Sequence, residues 1–586
     1  MLGEASPPLT RSASDDVRRA GEAVDRAGEA ADRAGEVVDR AGEHVLAALR
    51  ALLERAASGA TPGATAGPGD AHPPCATPSS AVGGACAMTV GLGGALASIL
   101  LVDAHRALCA VFAEDAFLWG EPGGGAGGEG GDAGPAWSFA GAGAALRLEA
   151  SGPERVDTIL ARARPILAGL QDVRGDGAAV AAPRPALFGG VAFTHSSPDG
   201  GHGGGSAVAD DHATAVPGAP RAASPAAASR LQSPQSPVAA EVWRGFADAS
   251  FVLPRWLIGR RGGAAFLRFA LARAPHGDEL QGLCEEARAV VTALAAIVAE
   301  RGCTASDVRP ASAVRVATEP MASWTRNVDD AVARIARGEL AKVVASTRTL
   351  LDAERPFDVH AALGRLDEGH PQCVRFAFAR GEGRGAATFL GATPERLVDK
   401  RGAVARLDAL AGTLRRGLGD TAAPRALIES DKDRREHAVV VDFLRDTLAP
   451  FGAVRASREP GVRTLRDLHH LWTPVEVTLA AATHVLELVA CLHPTPAVCG
   501  TPRVAARSWV QAHEPTPRGW YAGAIGWFDA AGDGSFAVAL RSALVRGNQA
   551  WLFAGAGIVA GSVAARERAE VELKQRPMLN ALGVQR

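Results

Sequence analysis

Lysine is rare in this 586-residue chain, so each lysine is informative. Of the 62 residues that are Lys or Arg, only four are lysine, at positions 342, 400, 432 and 574. Arginine keeps its proton at usable pH, whereas a lysine whose pKa is lowered acts as a base. Lys342 opens an apolar run directly after a helix-like stretch at 328–336, where partial desolvation would favour base catalysis. The competing interpretation is a lysine at a strand edge that extends its ammonium into water.

Glu395 lies in the segment FLGATPERLV at 389–398, which combines an apolar run, a Gly turn and Pro394. This order places the carboxyl group at the end of a strand. A carboxyl group held beside apolar groups has a raised pKa and is able to donate a proton. The alternative is an ordinary surface carboxylate that pairs with Arg396.

Two helical segments each carry a pair of acidic residues three positions apart, which places each pair on one helix face. Asp433 and Glu436 form the first pair, and Glu567 and Glu570 form the second. Oxygen ligands from two helices suit a hard divalent cation, and Mg²⁺ fits because it shares its shell with water and an anionic substrate. The alternative is a set of exposed salt bridges such as that between Glu570 and Lys574.

Two further segments indicate a site for an anion. The segment FAVALRSALV at 536–545 predicts an apolar strand that contains Arg541, and a buried arginine needs an anionic partner, such as a bidentate carboxylate or a nearby acidic side chain. The segment FAGAGIVAGS at 553–562 contains Gly555 and Gly557, which allow close approach of the backbone. Such a loop either binds a carboxylate through free N–H groups or is a plain tight turn.

Composition excludes several classes of protein. The net charge of −2 and the aromatic content of 5% argue against a nucleic-acid partner. The eight cysteines form neither a CxxC motif nor a Cys/His cluster in the sequence, so it indicates neither a disulfide framework nor zinc. The longest apolar run, Met88 to Val102, is too short to span a membrane and is interpreted as a buried strand. With no secretory signal at the start, the expected compartment is the cytoplasm.

The elements that must position these residues divide the chain into three parts. Residues 1–85 contain heptads from residue 19 followed by a linker, and predict a weak helical arm with possible self-association through 19–50. Residues 86–318 mix strand-like runs with helices, and 196–238 are predicted to be a disordered insertion. Residues 319–586 carry the chemical motifs. The mixed order predicts an α/β or α+β fold, with strands at 95–102 and 107–112 among others.

Taken in order, the motifs of residues 320–582 resemble those of the chorismate-utilising enzymes, which include isochorismate, salicylate, anthranilate and aminodeoxychorismate synthases. The resemblance rests on KVVAST (342–347), GATPERLV (391–398), ALAGTLRRG (409–417), SDKDRREH (430–437), LHHLWTP (468–474), HPTPAVCGTP (493–502), EPTPRGWYAGAIGWF (514–528), VALRSALV (538–545), AGAGIVAGS (554–562) and ELKQRPML (572–579). The N-terminal part matches only loosely. The chain departs from the family at ASTR (345–348), where a local shift of the backbone is possible.

The resemblance implies a fold of two antiparallel-rich sheets with surrounding helices that enclose a central cleft. It also implies a role for each matching residue. Lys342 matches the general base and Glu395 the general acid. Glu436 and Glu570 match magnesium ligands, with Asp433 and Glu567 in support. Positions that match binding sites for the substrate are Arg541, Tyr521, Thr413, Gly555, Gly557, Lys574 and His470.

Residue chemistry narrows the reaction that the resemblance implies. Lys342 would deprotonate water, which the ammonia-using members do not need to do. Ala411 stands where aminodeoxychorismate synthases carry a nucleophilic lysine, which argues against a covalent route. The expected activity is a magnesium-dependent isochorismate synthase, with chorismate as the small-molecule partner, no membrane partner and a monomeric chain. The product would feed menaquinone or catechol siderophore biosynthesis. A salicylate synthase and a non-catalytic anion-binding scaffold are the alternatives.

Overall fold

The computed structural model describes residues 40–58, 85–112, 114–122, 137–175, 182–194, 242–300, 314–381, 385–417 and 423–584. The predicted insertion at 196–238 and the heptads at 19–39 lie outside these described residues.

Twenty-one strands of the described residues are joined by hydrogen bonds into one network, rather than into two separate sheets. All the pairings are antiparallel except that of the first and fourth strands. The strands are β1 Cys86–Gly91, β2 Phe117–Gly120, β3 Ser138–Ala150, β4 Gln171–Arg174, β5 Ala186–Val191, β6 Ala249–Arg261, β7 Ala264–Leu271, β8 Val314–Thr318, β9 Lys342–Ala353, β10 Val374–Arg380, β11 Ala387–Thr393, β12 Arg396–Arg401, β13 Val404–Arg415, β14 Gly452–Ala456, β15 Gly461–Thr464, β16 Leu468–Leu479, β17 Gly500–Thr501, β18 Ala524–Asp529, β19 Gly534–Val538, β20 Ser542–Arg546 and β21 Gln549–Ile558.

Eleven α-helices of the described residues cover the strands, so the predicted mixed fold is confirmed. They are α1 40–57, α2 Leu101–Val111, α3 Arg155–Ala168, α4 Leu280–Glu300, α5 Met321–Ala336, α6 Val359–Gly369, α7 Ala423–Glu429, α8 Asp431–Leu448, α9 Val485–Leu492, α10 Arg503–His513 and α11 Ala564–Ala581. Among the described residues, none of these helices has the length and apolar content that a membrane crossing requires.

Helix α1 belongs to the folded N-terminal half, although its sequence predicts an arm. Val45, Leu49 and Leu53 on one of its faces are at most 4% exposed. They share one core with residues of β1, β6, β7, α2 and α4. The chain's own N-terminal half therefore covers this face, and residues 40–50 do not present it for self-association.

Two predicted strands are wrong. Residues 95–102 form a 3₁₀ turn and the start of α2, and residues 107–112 fall mostly within α2. Both runs are rich in Ala and Leu, which favour helix, and α2 buries one face against the sheet while its other face is partly exposed. Apolar content alone does not distinguish a short buried strand from a buried helix.

The site is built on two pairs of strands and two helices in the C-terminal half. Strands β9 and β21 pair in unbroken register, so the predicted shift near residues 345–348 does not occur. Strands β13 and β16 pair through eleven residues of each strand, with one irregularity near Gly412. Helix α8 packs on β13 and α11 packs on β21, which brings their acidic faces toward the same space.

Candidate active site

A cleft lies between these strands and helices. It brings together every residue to which the sequence assigned a site role. Those residues are Lys342, Glu395, Thr413, Asp433, Glu436, His470, Tyr521, Arg541, Gly555, Gly557, Glu567, Glu570 and Lys574. Residues far apart in the chain therefore converge on a single candidate site.

Lys342 is the first residue of β9, and only 3% of it is exposed. Its Nζ donates to Glu436 Oε1 on α8 at 2.8 Å. Burial acts to raise the pKa of Glu436, but the charge and the hydrogen bond of Lys342 outweigh it and leave the pKa lowered. The pair is thus ionic, and Lys342 is not a lysine that reaches into solvent.

Because Gly557 has no side chain, it provides the space that the ion pair of Lys342 and Glu436 occupies. It lies in β21 opposite Val344, and a Cβ added to it would meet Lys342 Cε at 2.9 Å and Glu436 Oε1 at 3.0 Å. These contacts are closer than normal packing allows, so a side chain here would displace one partner of the pair. The glycine is required for close approach rather than for an unusual φ.

Replacement of Gly557 by alanine is therefore expected to lower the rate of chorismate turnover at least tenfold, because it moves Lys342 and Glu436 apart. Steady-state kinetics over a range of Mg²⁺ concentrations would measure the change in kcat and in apparent metal affinity. The matched control is Gly263→Ala, where an added Cβ meets nothing within 4 Å. Unaltered kinetics in Gly557→Ala would contradict the packing argument.

Glu395 connects β11 to β12 and is 7% exposed. Its backbone N–H donates to Thr393 Oγ1 and its carbonyl accepts from Val538 N–H, which fix the turn. Burial raises the pKa of Glu395 to about 7, against the opposing charges of Lys342 and Lys574. The carboxyl group is therefore buried, and with a pKa of about 7 a large share of it keeps its proton near neutral pH. It is not a surface carboxylate paired with Arg396.

The two acidic pairs face the cleft from the first two turns of α8 and α11. Asp433 accepts a hydrogen bond from Ser430, the residue that caps α8. Burial raises the pKa of Glu567, and the negative charges of Glu570 and Glu436 raise it further against a hydrogen bond from Ser562. The carboxylates are therefore close enough to repel one another, and a divalent cation bound among them would relieve this repulsion.

The donor set fits a hard cation that keeps part of its water shell. Within the described residues, no three of the four carboxylates bring their oxygens within 4.8 Å of one another. Glu436 is occupied by Lys342, and Glu570 pairs with Lys574 at 2.7 Å, as the alternative interpretation of that helix predicted. Mg²⁺ commonly binds through one or two carboxylates plus water and substrate oxygens, so this spacing fits it.

Arg541 lies at the bend between β19 and β20, with a left-handed φ of 49°, and not inside a strand as predicted. Its Nη2 lies 3.4 Å from His470 Nε2. Burial and the charge of Arg541 hold the pKa of His470 well below its usual range, so the imidazole is neutral. Its Nδ1 lies 3.2 Å from the carbonyl of Gly412 and 3.1 Å from Thr413 Oγ1.

This arrangement leaves Arg541 available for an anion. Neutral His470 donates from Nδ1 to a carbonyl, so its Nε2 accepts from the guanidinium. No acidic side chain in the part of the chain that the structure describes forms an ion pair with Arg541, although the charge of Glu570 acts on it from a distance. A cation held by a neutral acceptor in a buried cleft is suited to bind a carboxylate.

The glycine-rich segment at 553–562 is not a loop along its first half. Gly555 and Gly557 lie in β21, and Lys574 donates to the carbonyl of Gly555 at 3.0 Å. Tyr521 is 3% exposed, and its ring stacks on Phe553 at 5.2 Å between centroids. The segment thus forms a wall of the cleft.

Two features of the site were missed in the sequence. Lys432 also lines the cleft, so three of the four lysines of the chain are there. The fourth, Lys400, pairs with Asp533 away from the cleft. The rarity of lysine could have indicated Lys432.

The second missed feature is a buried ion pair between Glu514 and Arg518 in the EPTPRGWY motif. Arg518 donates to the carbonyls of Val344 and Val498, and Glu514 accepts from the N–H of Ser346. The pair therefore fixes β9 just after Lys342 and places the turn that carries Tyr521. No periodicity in the sequence shows such a contact.

Comparisons with known proteins give a consistent result. A family model described as chorismate binding enzyme matches residues 218–583. The salicylate biosynthesis isochorismate synthase of Pseudomonas aeruginosa is 39% identical over 351 residues, which cover 58% of this chain and 71% of that protein. Isochorismate synthase MenF of Bacillus subtilis is 31% identical over 349 residues, 59% of this chain and 72% of that protein. Among solved structures, MenF of Escherichia coli superposes with a TM-score of 0.61 at 23% identity, covering 86% of this chain and 95% of that one, and supports the fold alone.

Proposed function

Because the chain belongs to the chorismate-binding enzyme family, we propose that it is an isochorismate synthase, an isomerase that converts chorismate to isochorismate. The observation that carries the proposal is the placement of a buried lysine and a buried glutamic acid with a raised pKa in one cleft with four carboxylates. Such a cleft supplies a base, an acid and a cation site together.

The proposed reaction exchanges one water for another, so no atoms are gained or lost. Lys342 takes a proton from water as its oxygen attacks ring C2. The ring double bonds shift, and Glu395 donates its proton to the hydroxyl that leaves from C4. Lys342 ends the step as an ammonium and Glu395 as a carboxylate. Both return to their starting states when Lys342 releases one proton to solvent and Glu395 takes one up.

The ion pair with Glu436 sets a condition on this step. Lys342 Nζ lies 2.8 Å from Glu436 Oε1, and an ammonium has no lone pair, so Lys342 accepts a proton from water only in its neutral form. Lys342 is thus competent as a base only when Glu436 is engaged elsewhere. Glu436, Glu570, Asp433 and Glu567 would hold Mg²⁺, which when bound would orient and polarise the ring carboxylate of chorismate.

The remaining cleft residues bind and orient the substrate in this proposal. Arg541, held by neutral His470, pairs with a carboxylate, and Lys574 supplies a second positive charge near Gly555. Tyr521 and Thr413 complete the polar wall. Ala411 lines the cleft and has no nucleophile, so no covalent intermediate on lysine forms at that position.

Product analysis with chorismate and Mg²⁺ tests the proposal. We expect isochorismate as the product, without pyruvate, and no turnover after Mg²⁺ is removed by a chelator. Salicylate together with pyruvate, in the absence of an added lyase, would instead identify a salicylate synthase. That second candidate is favoured by the name of the Pseudomonas aeruginosa relative, which links an isochorismate synthase to salicylate biosynthesis. Absence of both Mg²⁺ binding and turnover would favour the anion-binding scaffold.

A further inference from the structure

Three metal-binding side chains meet outside the cleft, where helix α2 of the N-terminal half packs against helix α6 of the C-terminal half. His105 and Cys109 lie one turn apart on α2, and His360 is the second residue of α6. One ligand atom from each lies within 4.8 Å of the others. None of the three lines the candidate active site. The sequence concealed this His/Cys cluster because His360 is remote in the chain.

The separation of Cys109 and His105 is close to that of two ligands of one tetrahedral zinc ion. Cys109 Sγ lies 3.7 Å from His105 Nε2 and 3.8 Å from His105 Nδ1. Tetrahedral zinc with the usual Zn–S and Zn–N bond lengths separates sulfur and nitrogen by about 3.6 Å. The rings of His105 and His360 have centroids 5.2 Å apart and are tilted by 52°, so they do not stack.

Burial and hydrogen bonding independently favour a ligand. His105 is 2% exposed, so its ring nitrogens are shielded from solvent. Among the described residues, the buried Nε2 of His360 has no hydrogen-bond partner. A buried polar atom without a partner is costly unless something satisfies it. The charged groups that act on His360 are Arg106, which opposes a cation, and Asp103 and Asp358, which favour one.

We propose that His105, Cys109 and His360 bind one Zn²⁺ ion, with water in the fourth position. Binding converts the Cys109 thiol to a thiolate, and the displaced proton passes to solvent. Two imidazoles and a thiolate are zinc ligands, whereas the carboxylates of the cleft suit Mg²⁺, so the two sites select different cations.

The place of the His/Cys cluster gives the ion a structural role. Helix α6 also packs on α11, which carries Glu567, Glu570 and Lys574 into the cleft. Zinc at this position joins the N-terminal half to the helix that supports one wall of the candidate active site. The ion is thus a link between the two halves and does not act on the substrate.

Titration of the metal-free full chain with Co²⁺, followed by Zn²⁺, tests the site. We expect one equivalent of Co²⁺ to give a thiolate-to-cobalt charge-transfer band, and Zn²⁺ to abolish the band while excess Mg²⁺ leaves it unchanged. Cys109→Ser should remove the band. His360→Gln, which retains the thiol, should weaken Co²⁺ affinity at least tenfold. The matched control is Cys284→Ser, since Cys284 is also a half-buried free cysteine and lies on α4.

Zinc should raise the thermal unfolding midpoint of the wild type and of Cys284→Ser, but not of Cys109→Ser or His360→Gln. Circular dichroism of the metal-free proteins separates loss of the site from loss of the fold. If Cys109→Ser fails to fold, His360→Gln decides the question. The proposal is overturned if wild type gives no thiolate band, or if the band persists in Cys109→Ser or is unweakened in His360→Gln.

Discussion

Replacement of Lys342 by methionine is expected to abolish conversion of chorismate to isochorismate while the fold remains. A positioned general base contributes a factor of about 10² to 10⁴ to the rate, and no other group in the proposal takes the proton from water. Methionine retains the apolar length of the side chain at a position that is 3% exposed. Initial rates with saturating chorismate and Mg²⁺ would measure the loss, and circular dichroism would report the fold.

The chain offers a matched control for this variant. Lys400 is also buried in a strand, 4% exposed, and it pairs with Asp533 at 2.8 Å, the same distance as that between Lys342 and Glu436. Lys400→Met therefore reproduces the loss of a buried ion pair without touching the cleft. Both variants should lose stability to a similar degree, but only Lys342→Met should lose turnover. Near-normal activity in Lys342→Met would refute the assigned base.

Replacement of Glu395 by glutamine is expected to lower turnover by about 10² to 10⁴ and to stabilise the protein at alkaline pH. Glutamine cannot donate the proton that the leaving hydroxyl needs. In wild type, the rate controlled by this group should fall as pH rises through about 7, because the acid is then lost. A pH profile of kcat/KM would show this limb, which should be absent from any residual rate of Glu395→Gln.

The stability effect follows from the same pKa. Burial raises the pKa of Glu395 from 4.5 in its ordinary state to about 7 in the folded chain. Below about pH 4.5 the carboxyl is neutral in both the folded and unfolded states, so its burial does not lower the free energy of unfolding through charge. Between pH 4.5 and 7 the unfolded chain loses the proton and the folded chain keeps it, so stability falls by up to about 3 kcal/mol.

Glutamine stays neutral throughout, so the free energy of unfolding of Glu395→Gln relative to wild type should increase between pH 4 and pH 8. Denaturant titrations at the two pH values would measure the difference. The control is Glu476→Gln on the surface partner of Arg406, whose relative stability should change little between the two pH values. An equal effect of both substitutions would mean that Glu395 is ionised without cost and is not poised as an acid.

The sequence predicts which residues line the cleft better than it predicts the backbone contacts that place them there. Lys342, Glu395 and the two acidic pairs stand in motifs whose spacing survives folding, because helices and strands preserve local periodicity. The left-handed bend at Arg541 and the pairing of Gly557 with β9 arise from contacts between segments far apart in the chain. The spacing of residues within one motif does not predict such contacts. The same limit conceals Glu514 and Arg518, whose partners lie on three other segments.

The helices of the fold likewise divide into some that the sequence predicts and some that it does not. Long helices such as α4 and α8 are predictable because a repeated apolar face continues over several turns. Helix α2 is not, since its eleven residues are about as apolar as a buried strand. Helix α1 is misread for another reason, because its alanine- and glycine-rich surroundings suggest an arm while its leucines are a part of the core.

The position of α1 has a practical consequence for anyone who shortens this chain. A cut near residue 85 follows the apparent end of the low-complexity region, but it would remove Leu49 and Leu53 from a core that includes Val291 and Leu294. The core surface that this cut exposes would be apolar, which is the kind of surface that drives proteins to aggregate. Aggregation of such a fragment would be an artefact of the cut, because α1 covers this apolar surface in the full chain.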